Sequence, residues 1–188
     1  MREKRLEKNL RLAVEYAIVM GSGYIKMEWN ATTGEIYDFN EETQTPIYEG
    51  DVVFTNLSPY DVVFDSTKET TDLDWVITRS WKNKFDVAAK YPEFADEIKQ
   101  LQTKSDMSKF KLVGSSYDKT VDIPVYEFYH KRTESMPEGR YLIYLDDDIV
   151  LSDSPMPYRD LPIYRISPSD ILGTPYGYTS MFDLLPLQ

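Results

Sequence analysis

The sequence predicts an α+β protein in which a long N-terminal helix packs on mostly antiparallel sheets, with two short helices further along the chain. Three observations lead to this prediction. Apolar residues recur at helical spacing up to Met20, strand-like alternation follows directly, and the later segments suggest strands, two helices and strands again. A helix joined tightly to an amphipathic strand favours a core of helix on sheet.

The first helix is expected to span Leu6 to Met20. Residues Leu12 to Met20 are almost all apolar, so the C-terminal half of the helix should be buried. Its N-terminal half should be partly exposed to solvent. Gly21 should end the helix, since only glycine enters the left-handed conformation without steric cost. The following strand should have one buried face. The two apolar helix stripes are Leu6, Leu10, Ala13 and Ala17, and Leu12, Tyr16 and Val19; the alternating strand residues are Ile25, Met27 and Trp29 against Tyr24, Lys26 and Glu28.

The next segments predict short strands joined by turns that contain Gly or Pro. Residues 40–46 are polar and are expected to form a surface loop. In chain order we expect a hairpin loop at Asn30–Gly34, a return strand at Glu35–Phe39, strand, turn and strand over Ile47–Phe54, a turn at Thr55–Pro59 and a further segment at Tyr60–Asp65.

Two short helices are predicted after a strand at Trp75–Arg79. Asn83 can cap the first helix, and Tyr91-Pro92 should end it. Pro92 can open the second helix. Residues 103–120 are polar without a clear period, which predicts a mobile loop. The expected apolar faces are Phe85, Ala88 and Ala89 in the first helix, and Phe94, Ile98 and Leu101 in the second.

The C-terminal part predicts strands once more. Pro124 suggests a strand start or a sheet edge, because proline cannot donate to a ladder. Residues 181–188 are expected to start a helix that the chain truncates, and 1–188 to form a single region. The predicted strands are Val125–Arg132, Arg140–Leu145, Ile149–Leu151 and Leu161–Ile166, with a loop at Gly173–Gly177.

Composition excludes several classes of protein. The chain has 188 residues, 41% of them hydrophobic, which is enough for a core. Its net charge of -11 argues against a basic nucleic-acid-binding face, and the absence of cysteine excludes disulfides and thiolate chemistry. The sequence has neither a signal peptide nor an apolar run of the roughly 18 residues that span a bilayer. An intracellular compartment is therefore expected.

Few residues suggest a chemical site, and we assign no catalytic, cofactor-binding or metal-binding residue. Gly21-Ser22-Gly23 follows a helix instead of a strand, so it predicts a helix stop and not a phosphate loop. The lone His130 favours packing over catalysis. Asp146–Asp148 could hold Ca²⁺ or Mg²⁺, but a hairpin turn explains the three carboxylates as well. Asp72 and Asp74 are expected in a loop, and without a secretory signal Asn30-Ala31-Thr32 is not expected to be glycosylated.

Several segments, in their order and spacing, resemble portal proteins of tailed bacteriophages. The helix, glycine and strand of Leu12–Trp29 are similar to the entry of that family. A following glycine-aspartate strand and a serine-proline-x-aspartate segment match Gly50–Phe54 and Leu57–Asp65. Further similar segments are Trp75–Ser80 with Lys90–Pro92, then Leu161–Ile166, Gly173–Ser180 and Leu184–Gln188; Thr179-Ser180 stands where the family usually has a serine.

The resemblance implies a structural role and no enzymatic activity. Portal subunits are longer and form a dodecameric ring at one capsid vertex, through which duplex DNA passes during packaging and ejection. The implied partners are further copies of the chain, the terminase, capsid proteins and head-completion or tail adaptor proteins, with no membrane and no cofactor. The implied location is the virion, and the host cytoplasm during assembly. This chain resembles the mixed α/β wing region, and alone it is expected to be mostly monomeric.

Two alternatives remain open at this point. The chain could be a complete β-rich adaptor module for phage or host interactions. It could also be a metal-dependent hydrolase that uses Asp146–Asp148 together with His130.

Overall fold

The computed structural model describes residues 6–40, 45–68, 73–101, 121–145 and 149–184. Within these ranges the α+β prediction is confirmed, and the strand pairs are antiparallel. The described helices are α1 (Leu6–Met20), α2 (Lys84–Lys90), α3 (Ala95–Gln100) and α4 (Met181–Leu184), with 3-10 turns at Pro59–Asp61 and Pro92–Phe94. The described strands are β1 (Gly23–Asn30), β2 (Ile36–Phe39), β3 (Pro46–Tyr48), β4 (Asp51–Leu57), β5 (Val62–Phe64), β6 (Trp75–Asn83), β7 (Asp122–His130), β8 (Arg140–Leu145), β9 (Val150–Ser154), β10 (Ile163–Ile166), β11 (Ser169–Asp170) and β12 (Gly177–Tyr178).

Some predicted features lie outside the described residues. They are the loop at 103–120, the Asp146–Asp148 turn, Asp72, and the last four residues of the expected C-terminal helix. The chain divides into two compact units. Unit 1 comprises the described parts of Met1–Pro59, Ser66–Thr71 and Pro162–Gln188, and unit 2 those of Tyr60–Asp65 and Asp72–Leu161. The single region spanning 1–188 stays a prediction.

Unit 1 is built on a three-stranded sheet in the order β10-β1-β4. The central strand β1 pairs with β4 from Tyr24, opposite Leu57, to Asn30, opposite Asp51, and its first half also pairs with β10. Helix α1 packs on this sheet, and Ala13 and Ala17 are its buried residues. Its predicted bounds are confirmed.

The predicted burial of α1 is wrong in its C-terminal half. Val14, Ile18 and Val19 are exposed there, and so is Leu10 in the half before it. The helix approaches the sheet so closely that only the small side chains of Ala13 and Ala17 fit between the two backbones. A narrow contact stripe buries fewer large residues than the broad apolar pattern suggests.

The prediction of a single buried face is also wrong for β1. The residues from Gly23 to Lys26 are all buried, whereas Trp29 is 56% exposed. Helix α1 covers one face of β1 at this end, and Tyr24 and Lys26 on the opposite face are buried as well. Lys26 tolerates burial because its Nζ atom lies 2.7 Å from the Glu28 carboxylate.

The strand at Ile36–Phe39 does not return along β1 as predicted. It pairs with β3 to form a separate two-stranded hairpin, while β4 takes the place beside β1. The longer β4 offers β1 seven pairing residues, because it continues through Thr55–Leu57, where we predicted a turn. The segment Asn30–Gly34 contains a turn but does not form the predicted hairpin loop, because β2 does not pair with β1. The turn predicted within Ile47–Phe54 is instead a short connection at Glu49–Gly50, and both Gly34 and Gly50 have a positive φ.

Unit 2 is a five-stranded antiparallel sheet in which neighbours follow chain order, β5-β6-β7-β8-β9. Strand β6 extends to Asn83, beyond its predicted end. The Asn83 cap is confirmed, since its Oδ1 accepts a hydrogen bond of 2.9 Å from the Phe85 amide. The core of this unit comprises Val87, Ala88, Ile98, Ile123, Val125, Leu145 and Leu151.

Two predictions within unit 2 are wrong. Helix α2 buries Val87 and Ala88, while Phe85 and Ala89 face solvent, because α2 packs through one short stripe. Pro124 lies inside the central strand β7 and not at its start. It is accommodated because the pairing of β7 with β8 begins only at Val125, so the missing amide of Pro124 leaves no ladder bond unmade on that side.

Candidate functional site

His130 ends strand β7 and is half-buried. Its Nδ1 atom lies 2.7 Å from the Lys131 carbonyl oxygen. Since a carbonyl only accepts, Nδ1 must donate in this contact. The ring centroid of Phe128 lies 6.2 Å away. The imidazole is therefore held by the backbone and by an aromatic neighbour.

The register of β7 and β8 places His130 and Leu145 at opposite ends of the two strands. Asp146–Asp148 lie outside the described residues, but Leu145 precedes them and pairs with Val125. His130 pairs with Arg140 at the other end of the two strands. Five residues of strand separate Val125 from His130, which corresponds to roughly 17 Å. The hydrolase hypothesis stays a prediction, because Asp146–Asp148 lie outside the described residues.

Asp74 lies next to the start of β6 and forms structural contacts. Its carboxylate is 3.0 Å from the Lys131 Nζ atom, and its carbonyl oxygen accepts a hydrogen bond from the Lys131 amide. Among the residues described here, no group of three or more histidine and acidic side chains is arranged to hold a metal ion. No helix among them is long and apolar enough to cross a bilayer.

The best-defined polar arrangement surrounds the C-terminal end of α1. We call it the glycine junction and define it as Gly21, Ser22, Gly23, Ser167, Gly177 and Thr179. Gly21 adopts φ +82°, so the helix stop predicted there is confirmed. A Cβ atom at Gly23 would lie only 1.8 Å from the Ala13 carbonyl oxygen, and one at Gly177 only 1.8 Å from the Gly21 carbonyl oxygen. Three backbone segments therefore meet at distances that only glycine allows.

Hydroxyl groups from the C-terminal part of unit 1 complete the glycine junction. The Thr179 hydroxyl donates to the Ile18 carbonyl oxygen at 2.5 Å, and the Ser167 hydroxyl donates to that of Gly21 at 2.8 Å. The Gly177 amide donates to the Ser22 hydroxyl. The last carbonyls of a helix have no partner within the helix, so these bonds satisfy groups that would otherwise be buried unpaired.

A buried tyrosine and an arginine extend this arrangement. The Tyr24 hydroxyl is hydrogen-bonded to Ser22, and burial raises the pKa of Tyr24 above its usual value, which the Ser22 bond and Arg165 partly offset. Arg165 donates to the Pro175 carbonyl oxygen at 2.9 Å and forms an ion pair with Asp170. The phenol stays neutral near pH 7, and the guanidinium holds the 170–175 loop. Both roles are structural.

Unit 2 contains a buried carboxylate that sequence reasoning missed. Glu127 is almost fully buried and accepts a hydrogen bond of 2.5 Å from the Tyr129 hydroxyl. The Lys82 Nζ atom lies 3.5 Å from its other oxygen. The Tyr91 pKa is raised by burial and by the charge of Glu127. A signal was present, because Glu127 interrupts the alternating buried positions Ile123, Val125 and Tyr129 with a charge.

Comparison with known proteins gives no family for this chain. The sequence matches no protein-family model, and no curated protein is significantly similar to it.

Proposed function

We propose that this chain is a structural segment of a tailed-phage portal, namely its wing region. The observation that carries the proposal is that several of the family-like segments converge on unit 1, whereas Trp75–Ser80 and Lys90–Pro92 lie in unit 2. The segment Leu12–Trp29 contains most of α1 and β1, Gly50–Phe54 leads into and begins β4, and Leu161–Ile166 contains β10. Segments more than 100 residues apart in the chain thus become neighbouring strands of one sheet.

The glycine junction adds support from a second family-like segment. Gly173–Ser180 contributes Gly177 and Thr179, which contact the end of α1 that Leu12–Trp29 provides. Glycines at Gly21, Gly23 and Gly177 and a hydroxyl at Thr179 are expected together when the backbones of two distant segments must touch. Leu12–Trp29 and Gly173–Ser180 therefore have a common physical reason to occur in the same chain.

The exposed face of α1 fits a subunit of a larger assembly. Leu10, Val14 and Ile18 follow one another at four-residue spacing and are all exposed. Apolar side chains grouped on one face mark interaction surfaces more often than isolated ones do. In the proposed ring this stripe contacts the neighbouring subunit or a later part of the same chain.

The charge of the chain agrees with a channel that passes DNA without holding it. With a net charge of -11, the chain offers little to phosphate groups, whose contacts with Lys and Arg dominate DNA affinity. We expect no duplex DNA binding at physiological salt in a mobility-shift assay. Tight binding there would contradict this part of the proposal. The proposed location is the virion, with the host cytoplasm during assembly.

The test begins with the reading frame beyond the codon for Gln188. We expect it to continue through a long helix, a small α/β insert and a second long helix. The protein expressed from the whole frame should form dodecameric rings in negative-stain electron microscopy. A stop codon directly after Gln188, or a full-length product that stays monomeric, would overturn the proposal and favour the adaptor module.

A further inference from the structure

The β2–β3 hairpin of unit 1 has no side that faces a core. All seven residues of its two strands are exposed, and Tyr37 is 75% exposed. The register shifts between Ile36 and Asp38, which interrupts the side-chain alternation there, and both faces of the hairpin are open. The large apolar residues on it are Ile36, Tyr37, Phe39, Ile47 and Tyr48. Together with the exposed acidic residues Glu35, Asp38 and Glu49 they form what we call the hairpin surface.

An isolated two-stranded hairpin is at best marginally stable in water. This one is fixed at its base instead. The Asn30 side chain accepts a hydrogen bond of 2.9 Å from the Thr32 amide, and the Glu49 amide donates to the Glu35 carbonyl oxygen at 3.0 Å. A Cβ atom at Gly50 would lie 2.4 Å from the Trp29 ring, which therefore covers the glycine closely. The aromatic surface is held ready for a partner, which lowers the ordering cost of binding.

The charge on the hairpin surface is of one sign. Residues 31–50 contain five acidic residues and no lysine, arginine or histidine. Those among the described residues are Glu35, Asp38 and Glu49, and all three are exposed. A second copy of the chain would bring the same charges face to face, and like-charge juxtaposition opposes association. An anionic lipid surface is disfavoured for the same reason.

We propose that the hairpin surface binds a basic, amphipathic segment of a partner protein. Lysine or arginine side chains of the partner pair with Glu35, Asp38 and Glu49, while its apolar side chains cover Tyr37 and Ile47. Exposed aromatic residues combine large contact area with few rotatable bonds, which suits them to anchor such a segment. This inference rests on the exposure and charge of the hairpin and is independent of the portal proposal.

The experiment uses the whole 188-residue chain. Fluorescence anisotropy measures its binding to a labelled synthetic peptide in which leucine and lysine occupy opposite faces of an amphipathic helix. An all-lysine peptide and a leucine/glutamate peptide of the same length serve as comparison probes. The leucine/lysine peptide should bind at least about tenfold more tightly than either, since both charge and apolar contact contribute.

Matched variants locate the binding site. Glu35→Gln with Asp38→Asn and Glu49→Gln should weaken binding at least about tenfold. The control Glu134→Gln with Glu138→Gln and Asp160→Asn removes the same charge from exposed loop positions in unit 2 and should leave binding within about twofold.

A second pair of variants separates apolar contact from charge. Tyr37→Ser with Ile47→Ser should also weaken binding, whereas Tyr164→Ser with Ile171→Ser, at exposed positions elsewhere in unit 1, should not. Circular dichroism checks that each variant is folded. Because the hairpin residues are exposed, their replacement should leave the spectrum unchanged.

Three outcomes would overturn the proposal. Equal weakening by the unit 2 charge variant would show general attraction to an acidic protein. Self-association that depends on Tyr37 and Ile47 in analytical ultracentrifugation would identify a second copy as the occupant. Hairpin-dependent binding to phosphatidylcholine vesicles, without binding to the leucine/lysine peptide, would identify a lipid surface.

Discussion

The two units of this protein form antiparallel sheets by different means. Unit 2 is assembled from strands that follow one another, β5 to β9, around a core of branched aliphatic side chains. Unit 1 joins β1, β4 and β10 from distant parts of the chain, and its helix touches the sheet through alanine and glycine. The stability of unit 2 depends on how well side chains fill its core, and that of unit 1 on how closely its backbone segments approach one another.

The largest effect is expected where backbone contact is tightest. Gly23→Ala would place a Cβ atom 1.8 Å from the Ala13 carbonyl oxygen, so α1 must move away from β1. We expect a loss of stability on the order of 4 kcal/mol, at the upper end for single substitutions. Hydrogen exchange should report lost amide protection in β1, β4 and β10, with protection retained in β6 to β8.

A matched control for this prediction is Gly173→Ala. Gly173 has a positive φ, +74°, which Gly23 lacks, and none of the described residues lies within 4 Å of a Cβ atom at Gly173. Only the left-handed backbone is then strained, at roughly 1 kcal/mol. A loss at Gly23 no larger than that at Gly173 would contradict the claim that close backbone approach determines the stability of the glycine junction.

The second largest effect should come from the core of unit 2. Ile98 is completely buried on α3, and Ile98→Ala leaves a cavity among aliphatic side chains. Such truncations cost about 3 kcal/mol. Denaturant unfolding gives the value, and hydrogen exchange should place the loss in unit 2. Loss of protection confined to unit 1 would contradict the comparison between the units.

A smaller effect is expected at the glycine junction from Thr179→Val. This replacement keeps the shape of the side chain but removes the hydroxyl that donates to the Ile18 carbonyl oxygen. The expected cost is about 1 kcal/mol or somewhat more, because that carbonyl then loses its partner. Thr174→Val, at an exposed hydroxyl, is the control and should change the unfolding free energy less.

The smallest effect should come from the exposed ion pair between Arg140 and Asp153. Hydrogen bonding to Arg140 lowers the pKa of Asp153, so the pair contributes stability above the ordinary aspartate pKa, and this is lost as pH falls through the lowered value. Carbon-detected NMR titration should show the pKa of Asp153 rising toward its usual range in Arg140→Gln. The unfolding free energy near pH 7 should barely change, since the pair is exposed.

Much of the fold was predictable because local signals were strong. Gly21 ends α1, Asn83 caps α2, and strand β8 runs from Arg140 to Leu145 as predicted. Each depends on chemistry within a few residues of the position concerned. The α+β class followed from the order of such segments.

The failures concern contacts made across the chain. Nothing near Lys26 indicates that β1 lies between two strands. Nothing near Ile36 indicates that β1 pairs with β4 and not with β2. The hydroxyls of Ser167 and Thr179 reach α1 from about 150 residues away, so the glycine junction could not be predicted from its own segment. Glu127 differs, since its place among alternating apolar residues was a usable signal.

The divided chain path of unit 1 has a consequence for biosynthesis. The ribosome releases α1, β1 and β4 early, but β10 and the hydroxyls that complete the glycine junction only after all of unit 2. Since compact units fold as they emerge, we expect unit 2 to fold first and the last-made segment to complete the first-made one. A chain stalled on the ribosome, with Leu161 just emerged, should protect β6 to β8 against proteolysis while α1 stays cleavable. Until the last segment is made, the Gly21 and Ile18 carbonyl oxygens lack the hydroxyl donors of Ser167 and Thr179.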